Sequence, residues 1–160
     1  MYPLVPVEDS KCLAITGATG FIGQRFLADC RASNIPVSAL TRRPQSVTNG
    51  VRWVHGDLFD AEALEDLLDG ADCLVHLAGA TKALRREDFD RINTQATVEL
   101  AQLCRAKNVR HFIFLSSLAA TRPDVSPYAV SKADAEKALA EQGGYGDFRN
   151  TGPCSSWPGR

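Results

Sequence analysis

The 160-residue sequence lacks three features: an excess of charge of one sign, a long apolar run, and closely paired cysteines. Its 18 lysines and arginines balance 19 aspartates and glutamates, for a net charge of −1. This balance gives no reason to expect nucleic acid or an anionic membrane surface as a partner. No stretch approaches the ~18 apolar residues of a membrane span, and the N-terminus lacks the pattern of a secretory signal. We therefore expect neither a nucleic-acid nor a membrane partner.

The five cysteines are scattered through the chain, and no CxxC pair occurs among them. An odd, dispersed set argues against a disulfide framework and against a zinc site. It is typical of a protein kept in a reducing compartment. The sequence therefore predicts a cytoplasmic protein with no metal centre.

Short apolar runs alternate with amphipathic segments along most of the chain. The length matches about one domain, and such alternation is typical of a parallel sheet with helices on its faces. We therefore predict an α/β fold with a doubly wound, Rossmann-like parallel sheet. The predicted strands are Cys12–Thr16, Pro36–Leu40, Val51–Val54, Asp72–His76 and His111–Leu115, and the predicted helices are Phe21–Ala32, Ala61–Leu68 and Glu87–Lys107.

Three glycines follow the first predicted strand directly, at Gly17, Gly20 and Gly23. A strand, a glycine turn and a helix together place backbone N–H groups and a positive helix end against a phosphate. One glycine would allow the tight turn, one the approach of a pyrophosphate, and one the close packing of helix on strand. The spacing is GxxGxxG rather than GxGxxG, so an ordinary glycine-rich turn is the alternative. In this position, the pattern favours nucleotide binding.

The end of the second predicted strand carries no carboxylate. In dinucleotide folds an acidic residue there binds the ribose 2′-hydroxyl, whereas an arginine accommodates a 2′-phosphate. Here Thr41 is followed by Arg42 and Arg43, and a guanidinium can bind a phosphate through two hydrogen bonds. The residues favour NADP over NAD as cofactor. A solvated basic loop is the alternative, and NAD stays open.

Two further loops are predicted at the same edge of the sheet. Asp57 follows the third strand, where its carboxylate could accept a hydrogen bond from an adenine amino group or cap the turn. The small residues that follow the fourth strand would let a ligand approach the backbone closely. Asn93 lies one step off the apolar stripe of the long predicted helix, and its spacing alone says little.

Six motifs in order give the chain a resemblance to the short-chain dehydrogenase/reductase superfamily. It looks most like the extended group, which contains nucleotide-sugar epimerases, dehydratases and related reductases. The resemblance spans about residues 11–142. The motifs are Gly17–Gly23, Asp57-Leu58, Leu77-Ala78-Gly79, Asn93, Ser117, and the Tyr-x-x-x-Lys pair Tyr128 and Lys132.

The resemblance implies a catalytic role for four side chains. Tyr128 would be the general acid or base, and a free tyrosine needs help because its pKa is ~10. Lys132, on the same helix face, would favour the ionised phenol and bind the nicotinamide ribose. Ser117 would bind the substrate oxygen, and Asn93 would support the site. The alternative is that Tyr128 starts an exposed helix and Lys132 is solvated.

The same resemblance implies the cofactor contacts and the partners. The substrate would be a carbonyl, an alcohol or a nucleotide sugar, and the helices that carry Asn93 and Tyr128 would pair in a homodimer. The cofactor contacts would be Gly17, Thr19, Gly20, Phe21, Ile22, Gly23, Arg42, Arg43, Asp57, Leu58, Leu77, Ala78, Gly79, Tyr128 and Lys132.

The end of the sequence departs from the extended group, whose members continue into further strands and a substrate-binding region. Residues 143–160 are rich in glycine, proline and serine, which is typical of irregular chain. We therefore expect a dinucleotide-binding Rossmann domain over residues 1–142, an irregular tail over 143–160, and a missing C-terminal substrate region. Two alternatives to an NAD(P)-dependent oxidoreductase follow: a non-catalytic NADPH-binding sensor or scaffold module, or an inactive fragment.

Overall fold

The computed structural model describes residues 12–142, so the irregular tail predicted over residues 143–160 lies outside the described residues. The strands are Cys12–Thr16 (β1), Val37–Thr41 (β2), Val51–His55 (β3), Ala71–His76 (β4) and His111–Phe114 (β5). The helices are Phe21–Ala32 (α1), Ala61–Leu68 (α2), Arg86–Phe89 (α3), Ala96–Ala106 (α4) and Pro127–Glu141 (α5). Shorter turns are the π turn Asp90–Gln95 and the 3₁₀ turns Leu118–Thr121 and Pro123–Val125. The predicted division into a domain and a tail stays a prediction.

The five strands form one parallel sheet in the order β3-β2-β1-β4-β5. This order confirms the predicted doubly wound, Rossmann-like fold. The chain grows outward from β1 to β3 and then crosses back to place β4 on the other side of β1. The loops after β1 and β4 therefore diverge, and ligands of open α/β sheets bind in the crevice that this switch point opens.

Apolar side chains cover both faces of the sheet. The larger core includes Leu67 of α2, Leu100 of α4 and Leu139 of α5, all at most 2% exposed. The smaller core packs α1 on the opposite face, around Ile15 and Leu27. Strands buried on both faces read as continuous apolar runs, which is why the sequence predicted the strands to within a residue or two.

The helix predicted over Glu87–Lys107 is not one regular α-helix. It consists of α3, the π turn Asp90–Gln95 and α4 in direct succession. A π turn closes its hydrogen bonds over one more residue than an α-helix does, so it shifts the face that later residues present. Asn93 lies in this turn and is 1% exposed, although a lone helical asparagine is usually exposed.

The described residues also bear on the predicted environment and partners. No helix within residues 12–142 combines the length and apolarity needed to cross a bilayer. Nor does that part of the chain bring together three or more His, Cys, Asp or Glu side chains that could hold a metal ion.

Candidate cofactor and catalytic site

The carboxyl ends of β1, β4 and β5 meet at one edge of the sheet. Thr16, His76 and Phe114 are partners in the parallel register there. Side chains paired in register point to the same face, which here is the face covered by α4 and α5. The predicted site residues lie in the loops and helices around this row.

The glycine turn after β1 packs directly on the loop after β4. Gly17 has φ +75°, and a Cβ on it would lie 2.5 Å from the Ala78 nitrogen and 2.7 Å from the Leu77 carbonyl carbon. Gly23 packs in the same way, because its Cβ would overlap the Gly17 oxygen and the Ala18 backbone. Among residues 12–142, a Cβ on Gly20 would meet only the Gly17 oxygen, at 3.2 Å. The turn is therefore closed on the protein side and open beside Gly20.

The first turn of α1 has backbone N–H groups without partners in the helix. Its N-cap residue is Gly20, no side chain within residues 12–142 caps it, and no acidic residue lies in the turn. Phe21 and Ile22, both predicted cofactor contacts, are 95% and 52% exposed. Their apolar side chains are therefore accessible at the start of the helix.

The loop after β2 is ordered by Thr41 rather than by its arginines. The Thr41 hydroxyl donates to the Arg43 carbonyl oxygen at 2.8 Å and accepts from the Arg43 amide at 3.3 Å. The Arg42 and Arg43 side chains are exposed, and neither forms an ion pair among residues 12–142. Both guanidinium groups are therefore available to an anion.

Asp57 caps its own turn, which was one of its two predicted roles. Its Oδ1 accepts from the Phe59 amide at 2.8 Å. The side chain is exposed at the end of β3, and its neighbour Leu58 is half-buried against the larger core. The contact with adenine stays a prediction.

Asn93 joins the loop after β4 to helix α5. Its Oδ1 accepts from the Ala80 amide at 2.8 Å, and its Nδ2 donates to the Ala80 carbonyl and to Ser131 Oγ, both at 3.0 Å. Ser131 Oγ donates in turn to the Tyr128 carbonyl oxygen at 2.8 Å. All the hydrogens of the carboxamide are used in these contacts. Asn93 therefore holds two of the predicted site elements together and presents no free group of its own.

Lys132 reaches from α5 to the end of β5. Its Nζ donates to the Leu115 carbonyl at 2.8 Å and lies 4.0 Å from the centre of the Phe114 ring. The side chain is 5% exposed. Burial lowers the pKa of Lys132 to about 8, and the nearby Glu136 carboxylate partly opposes this shift. The alternative of a solvated Lys132 is therefore wrong, and the buried amine still carries its proton at neutral pH.

Tyr128 and Ser117 lie on either side of the 3₁₀ turns. The half-buried Tyr128 ring meets Phe89 edge-on, with the ring centres 6.2 Å apart, and its hydroxyl has no hydrogen-bond partner within residues 12–142. Ser117 Oγ accepts from the Ala119 amide at 3.2 Å and so caps the first 3₁₀ turn. Its hydroxyl proton remains available. The Oγ of neighbouring Ser116 is buried and has no hydrogen-bond partner in the described part of the chain.

His76 was not among the predicted site residues, yet it lies at the centre of this region. The ring is fully buried, with Nδ1 2.6 Å from Thr16 Oγ1 and Nε2 3.0 Å from Thr97 Oγ1. Burial lowers the pKa of His76 to about 3, and the Lys132 charge contributes. One sequence signal could have indicated it: a histidine within a strand buried on both faces has to be neutral and hydrogen-bonded.

This buried histidine predicts that the free energy of unfolding falls in acid. The pKa of His76 is about 3 in the fold against 6.5 for a free ring, so between these values the unfolded chain binds more protons. From pH 7 to pH 5 the loss is about 2 kcal/mol. Urea unfolding at both pH values measures it. The loss should shrink in His76→Phe and persist in His111→Gln, a change at an exposed histidine; an undiminished loss in His76→Phe would assign the effect to another group.

Comparison with known proteins agrees with this geometry. A family model described as the NAD dependent epimerase/dehydratase family matches residues 13–151. The chain is 39% identical over 131 residues to ceramide reductase of Caulobacter vibrioides, covering 79% of this chain and 41% of that protein. It is 29% identical over 113 residues to short-chain dehydrogenase/reductase family 42E member 1 of Xenopus laevis, covering 67% of this chain and 29% of that protein.

The solved structures include a similar protein with bound ligands. MoeE5 in complex with UDP-glucuronic acid and NAD superposes with a TM-score of 0.71 at 31% identity, covering 81% of this chain and 48% of that one. The chain therefore spans less than half the length of each of these three proteins.

Proposed function

This chain belongs to the NAD dependent epimerase/dehydratase family, within the short-chain dehydrogenase/reductase superfamily, and we propose that it binds a nicotinamide dinucleotide for hydride-transfer chemistry. One observation carries the proposal: three separate elements converge at the switch point. The Gly17 turn packs on Ala78, Asn93 holds Ala80, and Lys132 lies against the end of β5. No structural need of the sheet requires all three at one edge.

The residues at this edge fit a dinucleotide. The open side of Gly20 and the uncapped first turn of α1 suit a pyrophosphate, since the amides and the helix dipole favour an anion. A Cβ on Gly79 would lie 3.1 Å from Asn93 Oδ1 and 3.9 Å from Lys132 Nζ, so only glycine leaves this cradle free. Thr19, Phe21, Ile22, Asp57, Leu58 and the loop Leu77–Gly79 would complete the contacts.

The side chains around the cradle have the properties that the chemistry needs. A bound nicotinamide supplies the acceptance or donation of a hydride. Tyr128 Oη moves the accompanying proton, and its hydroxyl is free to do so. One of the three Nζ hydrogens of Lys132 is used on Leu115, which leaves two for a ribose hydroxyl. Ser117 donates its remaining proton to the substrate oxygen.

We propose a carbonyl or an alcohol as substrate, with nucleotide sugars as one such class. The names of two similar proteins support this range, because one is a ceramide reductase and the other is seen with UDP-glucuronic acid. Fold likeness alone does not choose between them. A panel of aldehydes and ketones with NADPH, and of UDP-sugars and other alcohols with NADP⁺, followed by absorbance of the reduced nicotinamide, tests the proposal. Tight cofactor binding without turnover on the whole panel would favour a non-catalytic module instead.

NADPH is expected to bind more tightly than NADH. A 2′-phosphate held by charged hydrogen bonds is worth roughly 1.5–3 kcal/mol, or about tenfold to a hundredfold in affinity. Calorimetric titration with each nucleotide measures this preference. Replacing both Arg42 and Arg43 by Ala should remove it while leaving NADH affinity unchanged, and Lys137→Ala, at an exposed cation distant in sequence, should change neither.

Two other outcomes separate the assignments. A preference for NADH would contradict only the role of the arginines. Failure of a folded sample to bind either nucleotide would contradict the proposed function as a whole. Homodimer formation through the helices that carry Asn93 and Tyr128 stays a prediction, which light scattering on the purified chain tests. The cytoplasmic location also stays a prediction.

A further inference from the structure

His76 is a fully buried titratable residue that no step of the proposed chemistry uses. As the last residue of β4 it lies in register between Thr16 of β1 and Phe114 of β5. Both ring nitrogens lie within hydrogen-bond distance of a hydroxyl. A phenylalanine could fill the same space, so packing alone does not explain why this position has a ring with two polar contacts.

The donors and acceptors around the ring determine its tautomer. The Thr97 hydroxyl lies 2.7 Å from the Asn93 carbonyl oxygen, and a carbonyl only accepts, so the Thr97 proton is used there. Thr97 Oγ1 must then accept from His76, which places the ring proton on Nε2. Nδ1 is left as an acceptor, and Thr16 Oγ1 donates to it.

The resulting hydrogen bonds form a chain in which each group donates to the next, from one side of the His76 ring to the other. On one side the Ala78 amide approaches Thr16 Oγ1 at 3.4 Å, and Thr16 donates to the ring. On the other side the ring donates to Thr97, and Thr97 donates to the backbone of Asn93. The side chain of Asn93 then forms two hydrogen bonds with the backbone of Ala80. Both ends of the chain therefore reach the same loop.

The charge of Lys132, close to the ring, also favours the neutral form of His76. Phe114 stacks on His76 with the ring centres 5.8 Å apart, and Lys132 Nζ lies 4.0 Å from the centre of the Phe114 ring. A charged His76 would leave two buried cations around one phenyl ring. It would also lose the bond from Thr16, because Nδ1 would no longer accept.

We propose that His76 is the positioning residue of this site: as the neutral Nε2–H tautomer it holds the loop after β4 between the glycine turn and the π turn. Thr16 is its link to the glycine turn, and Thr97 is its link to Asn93. That this loop contacts a nicotinamide cofactor rests on the proposed function. The hydrogen-bond chain itself does not.

The tautomer is tested first, on the unaltered protein. Long-range ¹H–¹⁵N spectra of the imidazole rings distinguish a protonated from an unprotonated nitrogen, and His55→Gln and His111→Gln assign the two other signals. We expect one ring with Nε2 protonated and Nδ1 unprotonated, unchanged between pH 5 and pH 8. A proton on Nδ1, or a charged ring within this range, would overturn the proposal.

The positioning role is tested by hydrogen exchange in His76→Phe, which keeps an aromatic ring but no hydrogen bonds. The quantity is the exchange rate of the Ala80 amide divided by that of the Ala39 amide in β2. We expect this ratio to rise about tenfold. Leu67→Ala is a control that destabilises the core but changes no residue of the hydrogen-bond chain around His76. In this variant the ratio should stay the same. An unchanged ratio in His76→Phe would overturn the role, and if that variant does not fold, Thr97→Val removes the same link and gives the same test.

Cofactor binding separates this inference from the proposed function. We expect His76→Phe to weaken NADPH binding about tenfold and Leu67→Ala to leave it unchanged under conditions where both are folded. If the unaltered chain binds no nicotinamide nucleotide, the proposed function fails, while the tautomer and the exchange ratio still decide the role of His76.

Discussion

Tyr128→Phe is expected to lower turnover about 10³-fold, within the 10²–10⁴ range typical of a lost general acid or base. The substitution removes one oxygen and keeps the ring that meets Phe89 edge-on, so helix α5 should keep its place. Lys132 Nζ should also remain hydrogen-bonded to the Leu115 carbonyl oxygen. The measurement is kcat with the substrate of the panel that the unaltered protein turns over fastest.

The control for this prediction is the affinity for the cofactor. Because the phenol makes no hydrogen bond within residues 12–142, its loss should leave the urea midpoint unchanged, and Tyr128→Phe should still bind NADPH because the other predicted cofactor contacts remain. A variant with intact binding and no turnover would agree with a proton-transfer role for Tyr128. If Tyr128→Phe turned over as fast as the unaltered protein, another group would have to move the proton, and the catalytic assignment would be wrong.

Gly17→Ala is expected to destabilise the fold by about 2–5 kcal/mol and to abolish nucleotide binding. Two costs add at this position. A left-handed backbone costs a residue with a Cβ about 1–2 kcal/mol, and Gly17 has φ +75°. The new Cβ would also lie 2.5 Å from the Ala78 nitrogen, and relieving such overlap in a packed region typically costs a further ~1–3 kcal/mol. Urea unfolding at neutral pH measures the sum.

The chain offers a matched control at the end of α2. Gly70 has φ +67°, similar to Gly17, but no atom of the described residues lies within 4 Å of where its Cβ would be. Gly70→Ala therefore incurs the backbone cost alone, about 1–2 kcal/mol, and should leave NADPH binding unchanged. Equal losses of stability in the two variants would show that the contact between the glycine turn and the loop after β4 contributes nothing.

Local features of the fold were predictable because their signals lie within a few residues. The strands appeared as apolar runs. Asp60 caps α2 through a bond from the Ala63 amide, and Gly70 adopts the positive φ that ends the helix. The glycine turn followed β1 as its spacing indicated. In each of these cases the physics is local, since backbone conformation and capping depend on near neighbours along the chain.

Burial could not be predicted where it depends on which layer covers a residue. Phe21 and Ile22 are apolar residues at helical spacing, yet 95% and 52% of their surface is exposed. Asn93 is the opposite case, a polar residue that is buried. The π turn directs its side chain inward, where it forms hydrogen bonds with Ala80 and Ser131. The period of a regular helix contains no signal for such a turn.

The sequence alone determined the parallel α/β fold, the glycine turn and the order of the motifs, because each depends on residues that are contiguous in the chain. Only the tertiary structure decided that Lys132 is buried against Phe114 and that Asn93 is hydrogen-bonded to the loop after β4. It also decided that His76 links Thr16 to Thr97 through hydrogen bonds. These contacts connect residues far apart in the chain. Their geometry depends on strand order and register, which place the carboxyl ends of β1, β4 and β5 side by side.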